Sequence, residues 1–289
     1  MPRVASLTTY PIKGCAGVTA PVMHFVPAGA ENDRVFMVVD GEGAFRNQRH
    51  HPELALLRPA VAADGARLTV EAPGLEPLDI PVVRTGPVRG VTLFGKPFGG
   101  VDQGDEAAAW VSEALGAPRR LVRVPPDHAR ETDGLTPGTS GYADSSAVHL
   151  LSEPSLHELN TRIADGGGAP LPMDRFRPNI VITGWPEPGT EDRILEAVIG
   201  GVRLGWTKAA GRCVVTLVDQ AKGLRCGPEP LRTLAHYRRA ATGGGVLFGA
   251  KFSVMTPGAI AVGDEIEVIR WASEGTGDPG RTVTAAGTV

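Results

Sequence analysis

The chain has 289 residues, of which 42% are hydrophobic, and a formal net charge of −3. This small charge, and the lack of a basic run interleaved with aromatic residues, argue against nucleic acid or an anionic membrane as a partner. Because no apolar segment is long enough to span a bilayer and no signal-peptide pattern opens the chain, we expect a soluble, cytoplasmic protein. Three dispersed cysteines are too few for a disulfide framework, which suits a reducing compartment.

The first part of the chain predicts short strands and a basic turn. The 38 glycines and 25 prolines favour many strands joined by tight turns. A β-permissive stretch at 4–11 leads to Lys13 and then Gly14, where the backbone can approach a ligand closely. Lys13 therefore belongs to an anion-binding turn or is a solvated loop residue. Residues 34–40 predict a strand that returns as a hairpin through 45–48, and Arg34 at its start either faces a phosphate or is a strand-end charge.

The middle of the chain contains one clear helix and a change of composition. Further short strands are predicted at residues 66–71, 78–83, 88–93 and 119–124. Apolar residues at helical spacing predict a helix over 105–115. Residues 125–141 are polar and rich in Gly, Pro and Thr, which indicates a domain boundary or a long active-site loop. Asp144, Ser145 and Ser146 follow, before a strand at 147–151, and either bind a polar ligand or form a turn.

Two polar groups flank a proline in the second half. Ser152 is predicted to cap a helix that ends near Gly166. Arg177 and Asn179 lie on either side of Pro178, ahead of a buried strand. Their guanidinium and amide groups fit a ligand with phosphate and heterocycle edges, or they are loop residues that fix the start of the strand.

The strongest chemical signal is Gly211-Arg212-Cys213. Strands are predicted at 202–207 and 212–218, joined through 208–211. An arginine beside a cysteine favours the thiolate, a soft ligand suited to molybdenum, copper, zinc or iron–sulfur centres. The alternative is a strand cysteine that packs as a small hydrophobe. A helix from Pro230 through Arg239 and strands at 251–256 and 260–269 follow, and residues 271–289 are predicted to be a flexible tail.

Several stretches together resemble the MOSC family, the domain found at the C-terminus of molybdenum cofactor sulfurases. They are residues 10–13; 37–40 with 48–49; 151–153 with 159–160; 175–180; 212–213 with Thr216, Asp219, Gly223, 230–231 and 237–238; and 257–258 with 262–264. The chain is most similar to members with an added N-terminal β-barrel, the amidoxime-reducing components. The resemblance implies a mostly β (α+β) protein with an N-terminal β-barrel-like domain over 1–120 and a MOSC β-barrel with a few short helices over 121–270.

The resemblance also implies a molybdenum cofactor, bound through its molybdopterin, and assigns residues to it. Cys213 takes the place of the cysteine that ligates molybdenum. By this resemblance, Lys13, Arg34, Arg177 and Asn179 contact the phosphate and the pterin. Asp144, Ser145 and Ser146 line the side of the site that holds the metal. Gly211 and Arg212 lie next to the metal ligand, Cys213. Relatives often have Ser where this chain has Gly14, so a hydroxyl contact is lost there.

The implied activity is reductive removal of oxygen from N-hydroxylated, amidoxime-like substrates or related N- and S-oxides. Cys213 would ligate the metal, and Asp144 would orient the substrate or relay a proton. The sequence contains neither a ferredoxin domain nor a pyridoxal-phosphate sulfurase domain, so we expect a separate electron-donor protein. We also expect a monomer. One alternative is a carrier of the cofactor, or of sulfane sulfur as a persulfide on Cys213. Another is a small-molecule-binding barrel without chemistry.

Overall fold

The protein, seen in a computed structural model that describes residues 1–241 and 245–273, is built mostly of β-strands. The strands are β1 (Arg3–Thr9), β2 (Val18–Thr19), β3 (Val22–Val26), β4 (Gly29–Ala30), β5 (Phe36–Val39), β6 (Arg58–Val61), β7 (Arg67–Glu71), β8 (Leu78–Pro81), β9 (Val88–Leu93), β10 (Lys96–Asp102), β11 (Arg120–Arg123), β12 (Glu131–Thr132), β13 (Gly138–Thr139), β14 (Val148–Ser152), β15 (Ile180–Thr183), β16 (Ile194–Ile199), β17 (Val202–Arg212), β18 (Val218–Asp219), β19 (Leu224–Arg225), β20 (Val246–Thr256), β21 (Gly258–Ala261) and β22 (Ile266–Trp271). The helices are α1 (Asp105–Ala114), α2 (Glu153–Asp165) and α3 (Leu231–Tyr237), with short 3₁₀ helices at Pro52–Leu56, Met173–Phe176, Thr190–Arg193 and Val214–Leu217.

An eight-stranded sheet forms the larger part of the molecule, in the order β2-β1-β15-β14-β20-β17-β16-β22. Strand β1 pairs antiparallel with β15, and β3 pairs with β21, so the first thirty residues join strands from the second half of the chain. Strands β14 and β15 are parallel and are connected through α2. Large side chains such as Trp206, Phe252 and Phe25 fill the core beneath this sheet.

Smaller sheets build the other part, in the orders β5-β11-β10-β9 and β6-β7-β8. Helix α1 packs on them over a second apolar cluster that includes Phe36, Leu68 and Leu121. The predicted division into 1–120 and 121–270 remains a prediction. From residue 274 on, the predicted tail lies outside the described residues. In the part of the chain that is described, none of the helices has the length and apolar character needed to cross a membrane.

Local sequence signals placed the helices correctly. Helix α1 covers Asp105–Ala114, and Ser152 caps α2, because its Oγ accepts a hydrogen bond from the Ser155 N–H at 3.3 Å. Helix α3 is shorter than predicted and ends at Tyr237. All three cysteines are free thiols.

Four strand predictions are wrong. The predicted strand at 212–218 is interrupted by the 3₁₀ helix Val214–Leu217, and the predicted strand at 260–269 is divided between β21 and β22. The other two are wrong because tertiary pairing overrides the local pattern. The predicted strand at 34–40 begins only at Phe36, and its ladder partner is β11, while Phe45 makes an isolated bridge to Val39 instead of a hairpin strand. The predicted break at 208–211 does not exist. Strand β17 runs unbroken from Val202 to Arg212, since irregularities in its register keep these residues paired with β20.

The turn before Phe45 offers a matched test of backbone strain. Gly43 has φ +82°, and a Cβ there would lie 2.4 Å from the Gly90 carbonyl oxygen, whereas a Cβ on Gly41 would meet nothing within 4 Å. We expect Gly43→Ala to lower the free energy of unfolding by about 1–2 kcal/mol or more, because an L-residue is strained in this conformation and the carbonyl cannot retreat freely. Gly41→Ala should change it by about 0.5 kcal/mol or less. Urea unfolding of both variants would measure the difference, and equal effects would contradict this explanation.

Candidate functional site

The predicted site residues gather around one cavity, which we call the Cys213 cavity. Its lining includes every one of them except Ser145: Lys13, Gly14, Arg34, Asp144, Ser146, Arg177, Asn179, Gly211, Arg212 and Cys213. Ser145 lines an adjoining cavity, which shares Asp144 and Phe94 with the first. The turn after β1, the loop before β14, the segment before β15 and the end of β17 therefore converge in space, although they are far apart in sequence.

The charge of the Cys213 cavity is strongly positive. Its basic lining residues are Lys13, Arg34, Arg49, Arg175, Arg177, Arg212 and Lys251. Asp144 is the one carboxylate in the lining that the structure describes. Such a concentration of cations around a partly enclosed space favours an anionic ligand, because the low dielectric of the walls strengthens each charge–charge interaction.

Cys213 lies at a turn and not within a strand. Strand β17 ends at Arg212, and the Cys213 carbonyl then accepts hydrogen bonds from the Thr216 N–H at 3.0 Å and the Thr216 hydroxyl at 2.9 Å. The thiol is free and half-buried. Because these two bonds fix the main chain, the thiol is held at the cavity wall by a rigid support.

The guanidinium of Arg212 is held by hydrogen bonds to other groups of the protein. It donates to the carbonyl oxygens of Phe248 at 2.9 Å and Phe176 at 3.1 Å, and its Nη2 lies 2.6 Å from Nε2 of His149. Burial lowers the pKa of Arg212 to about 10, against the opposing charge of Cys213. Arg212 thus fixes the cavity wall beside Cys213, and its bonds join β14, β17 and β20.

Lys13 and Asp144 form an ion pair in the cavity lining. The ammonium of Lys13 is buried, bonds to the Asp144 carboxylate and faces the rings of Phe45 and Phe94 at 5.0 and 5.1 Å. Burial lowers the pKa of Lys13, and Asp144 opposes that effect. Although 59% of its side chain is exposed, the protein atoms around the Asp144 carboxylate would raise its pKa, but Lys13 and then Lys251 hold that pKa well below its usual range. Asp144 is therefore ionised at neutral pH, which does not suit proton donation, and its predicted role in orienting a substrate remains a prediction.

Two arginines enclose an aromatic ring beneath the cavity. The guanidiniums of Arg34 and Arg177 lie 4.4 and 4.2 Å from the ring centroid of Tyr10. Both arginines have left-handed backbones, with φ +50° and +54°, an uncommon conformation for residues with a Cβ. Nη2 of Arg177 is buried and has no hydrogen-bond partner among the described residues. A buried guanidinium nitrogen without a partner at a cavity wall fits a bound anion.

The side-chain amide of Asn179 connects several parts of the cavity wall by hydrogen bonds. Its Oδ1 accepts from Arg34 Nη1 and from the His149 N–H, both at 3.1 Å, and its Nδ2 donates to the Thr8 carbonyl at 3.1 Å. Its amide thus joins β1, β14 and Arg34. Gly14 also has a backbone reason for its identity, because its φ is +84°. A serine there would carry strain that glycine avoids.

Several residues of the cavity gave no signal in the sequence. They are Phe45, Phe94, His149 and Lys251. Phe94 occupies a left-handed turn position, with φ +52°, and stacks edge-on against Phe45 at 5.9 Å. Asp33 bonds to Arg34 from behind the cavity. Each is a common residue type in a strand or turn, so only its neighbours in space reveal its role.

Two protein-family models and several individual proteins are similar to this chain. The family models of the MOSC N-terminal beta barrel domain and of the MOSC domain match residues 1–118 and 137–267. The chain is 34% identical over 284 residues to mitochondrial amidoxime reducing component 2 of Rattus norvegicus, covering 91% of this chain and 82% of that protein. It is 34% identical to mitochondrial amidoxime-reducing component 1 of Homo sapiens, covering 92% and 82%. It is 29% identical to molybdenum cofactor sulfurase of Danio rerio, covering 85% of this chain and 31% of that protein.

Proposed function

The chain belongs to the MOSC family, in the group that combines a MOSC N-terminal β-barrel domain with a MOSC domain, and from this premise we propose that it is a molybdenum-cofactor-dependent reductase. Its substrates are small N-hydroxylated, amidoxime-like compounds or related N- and S-oxides. Its electrons come from a separate donor protein. The similarity to two amidoxime-reducing components over more than nine-tenths of the chain supports this choice of substrate class.

The observation that carries the proposal is a free thiol in a cationic cavity. Cys213 supplies one soft ligand, and seven basic residues surround the space beside it. Molybdopterin carries a phosphate, so the buried and unpartnered Nη2 of Arg177 fits it. A thiolate suits molybdenum, which prefers soft sulfur ligands. The residues present therefore fit the cofactor.

Each residue then has a distinct task. Cys213 ligates the metal, and Arg34, Arg177 and Lys13 offset the negative charge of the cofactor. Asp144, ionised and more than half exposed at 59% of its side chain, orients the substrate at the mouth that the two cavities share. The bound cofactor would supply the two-electron reduction.

The alternative is a carrier that binds the cofactor, or that carries sulfane sulfur as a persulfide on Cys213. The half-buried free thiol and the similarity to a molybdenum cofactor sulfurase support this second candidate function. The two functions differ in turnover, because a carrier binds its cargo without reducing a substrate.

The decisive experiment measures metal and turnover on the same preparation. The protein is expressed in a host that makes the cofactor, molybdenum is counted per chain, and reduction of benzamidoxime is followed with a chemically reduced viologen as electron source. We expect near-stoichiometric molybdenum and formation of benzamidine. Folded protein with molybdenum but without benzamidine would favour the carrier. Folded protein that takes up no cofactor would contradict both cofactor functions.

A further inference from the structure

The Cys213 cavity contains a lysine, Lys251, in the middle of β20, that neither the sequence motifs nor the assignments above explain. Reduction of an N–OH group takes two electrons and two protons. The N–O bond breaks, an N–H bond forms, and the oxygen leaves as water. The electrons come from the reductant, but the protons must reach the reacting atoms from an acid in the cavity. The inference that follows rests on the proposed function.

Most titratable groups described at the cavity are unsuited to donating a proton. Asp144 is ionised, and the arginines hold their protons at any physiological pH. Lys13 is bound to Asp144, so giving up its proton would leave that carboxylate without its partner. None of these groups can therefore act as the acid near neutral pH.

His149 is also unsuited to donating a proton. Burial, followed by the charge of Arg212, lowers its pKa well below the usual value, so the ring is neutral. Because Arg212 Nη2 can only donate, Nε2 of His149 accepts from it at 2.6 Å. The single ring proton then sits on the other nitrogen, and the N–H of a neutral imidazole is far too weak an acid to donate near neutral pH. His149 thus positions Arg212 and has no free proton to give.

Lys251 differs from these groups in its geometry. Its Nζ lies 2.6 Å from the Ser145 hydroxyl oxygen. Lys251 lines the Cys213 cavity, and Ser145 lines the adjoining one. The Lys251–Ser145 hydrogen bond therefore links the two cavities, and a proton lost on one side can be replaced from the other.

The electrostatic surroundings of Lys251 suit an acid that works near neutral pH. Burial lowers its pKa to about 8, Asp144 opposes this, and Arg212, Arg34 and Lys13 lower it further. The titratable groups paired with it on the adjacent strands are His149 on β14 and Lys208 on β17. A general acid is most effective when its pKa lies near the working pH.

We propose that Lys251 is the proton donor of the reductive step and that the Ser145 hydroxyl returns the proton to it from the adjoining cavity. The charged Lys251 gives one proton to the departing oxygen as the N–O bond breaks, and the oxygen leaves as water. Neutral Lys251 is then recharged from solvent in the adjoining cavity through Ser145 and gives the second proton to the nitrogen.

Two substitutions separate proton donation from a simple need for positive charge. Lys251→Met removes both, whereas Lys251→Arg keeps the charge but cannot release a proton at neutral pH. We expect both to retain molybdenum and to lower kcat about 100-fold or more. Lys208→Met is the matched control, because Lys208 lies on the neighbouring strand, bonds to the exposed Asp133 and is not part of the cavity lining. It should keep wild-type kcat.

The dependence of kcat on pH tests whether Lys251 acts as the acid. The acid must be protonated, so wild-type kcat should be steady below pH 8 and fall as the pH rises through about 8. That alkaline limb should be absent in Lys251→Met. Wild-type activity in Lys251→Arg would show that charge alone matters, and an unchanged alkaline limb in Lys251→Met would assign the limb to another group. Either result would overturn the proposal.

A measurement without turnover keeps this inference distinct from the proposed function. Acetic anhydride reacts with neutral amines, so acetylation of Lys251 can be followed by mass spectrometry across a pH series of the holoprotein. We expect a midpoint near pH 8. A lysine that reacts only at pH values typical of exposed lysines, about 10, would contradict the role of Lys251. Holoprotein that shows the midpoint near 8 but reduces no N-hydroxylated compound would refute the proposed function, and the proton-donor role with it.

Discussion

Replacing Cys213 with alanine is expected to give a folded protein that is almost free of molybdenum. The substitution removes the one thiol at the described wall of the cationic cavity and leaves the basic lining residues in place. The thiol is only half-buried, so the loss of stability should be about 1 kcal/mol. Metal content should fall by an order of magnitude or more, because a metal site rarely tolerates the loss of its protein ligand.

The chain provides a matched control for this experiment. Cys226 is also a free, half-buried thiol, and it lies outside the cavity lining. Cys226→Ala should retain molybdenum and reductase activity. Metal analysis and thermal unfolding of both variants, purified in parallel, would decide the question. If folded Cys213→Ala contained as much molybdenum as the wild type, Cys213 would not be the metal ligand.

Replacing Asp33 with alanine is expected to destabilise the protein by about 3 kcal/mol or more. The Asp33 carboxylate is 2% exposed, binds the Arg34 guanidinium and accepts from the Tyr10 N–H at 2.8 Å. Arg34 is itself only 14% exposed, and Asp33 is the charge that opposes the effect of burial and raises its pKa. Without Asp33, a buried cation loses its counter-charge and a buried N–H loses its acceptor, and both changes cost free energy.

Two variants separate these effects. Asp33→Asn keeps an acceptor oxygen for Tyr10 but removes the charge, so it should fall between wild type and Asp33→Ala. Asp105→Ala removes a carboxylate that is 95% exposed, although it too pairs with an arginine, and should cost about 0.5 kcal/mol or less. Urea unfolding at neutral pH measures all three. Equal stability of Asp33→Ala and Asp105→Ala would show that Arg34 is solvated or paired in another way.

The same substitution should also affect the cavity. Arg34 donates to Asn179 and to the Arg177 carbonyl, at 3.1 and 3.2 Å, so its orientation connects three of the predicted cofactor contacts. Asp33 had no signal in the sequence, since an aspartate in a turn is common. Its importance follows from burial alone, which no local pattern reveals.

Local features of the sequence were sufficient for the helices and the overall class. The apolar spacing in 105–115 and the Ser152 cap depend on residues within one or two turns, so both predictions are confirmed. Strand boundaries were less secure. Lys208 and Gly211 look like a break, yet β20 pairs with that stretch and holds it in one strand.

The sequence alone determined a mostly β chain of the MOSC family and pointed to Cys213, Lys13, Arg34, Arg177 and Asn179 as candidate site residues, because residue types and their order are properties of the chain itself. Only the tertiary structure decided how they combine. In the folded protein, Asn179 joins strands by hydrogen bonds, and Asp144 is ionised beside Lys13. Lys251 lines the Cys213 cavity, and Ser145 lines the adjoining cavity. The reason is physical: hydrogen bonding, burial and pKa depend on what surrounds a group in space, and residues distant in sequence supply those surroundings.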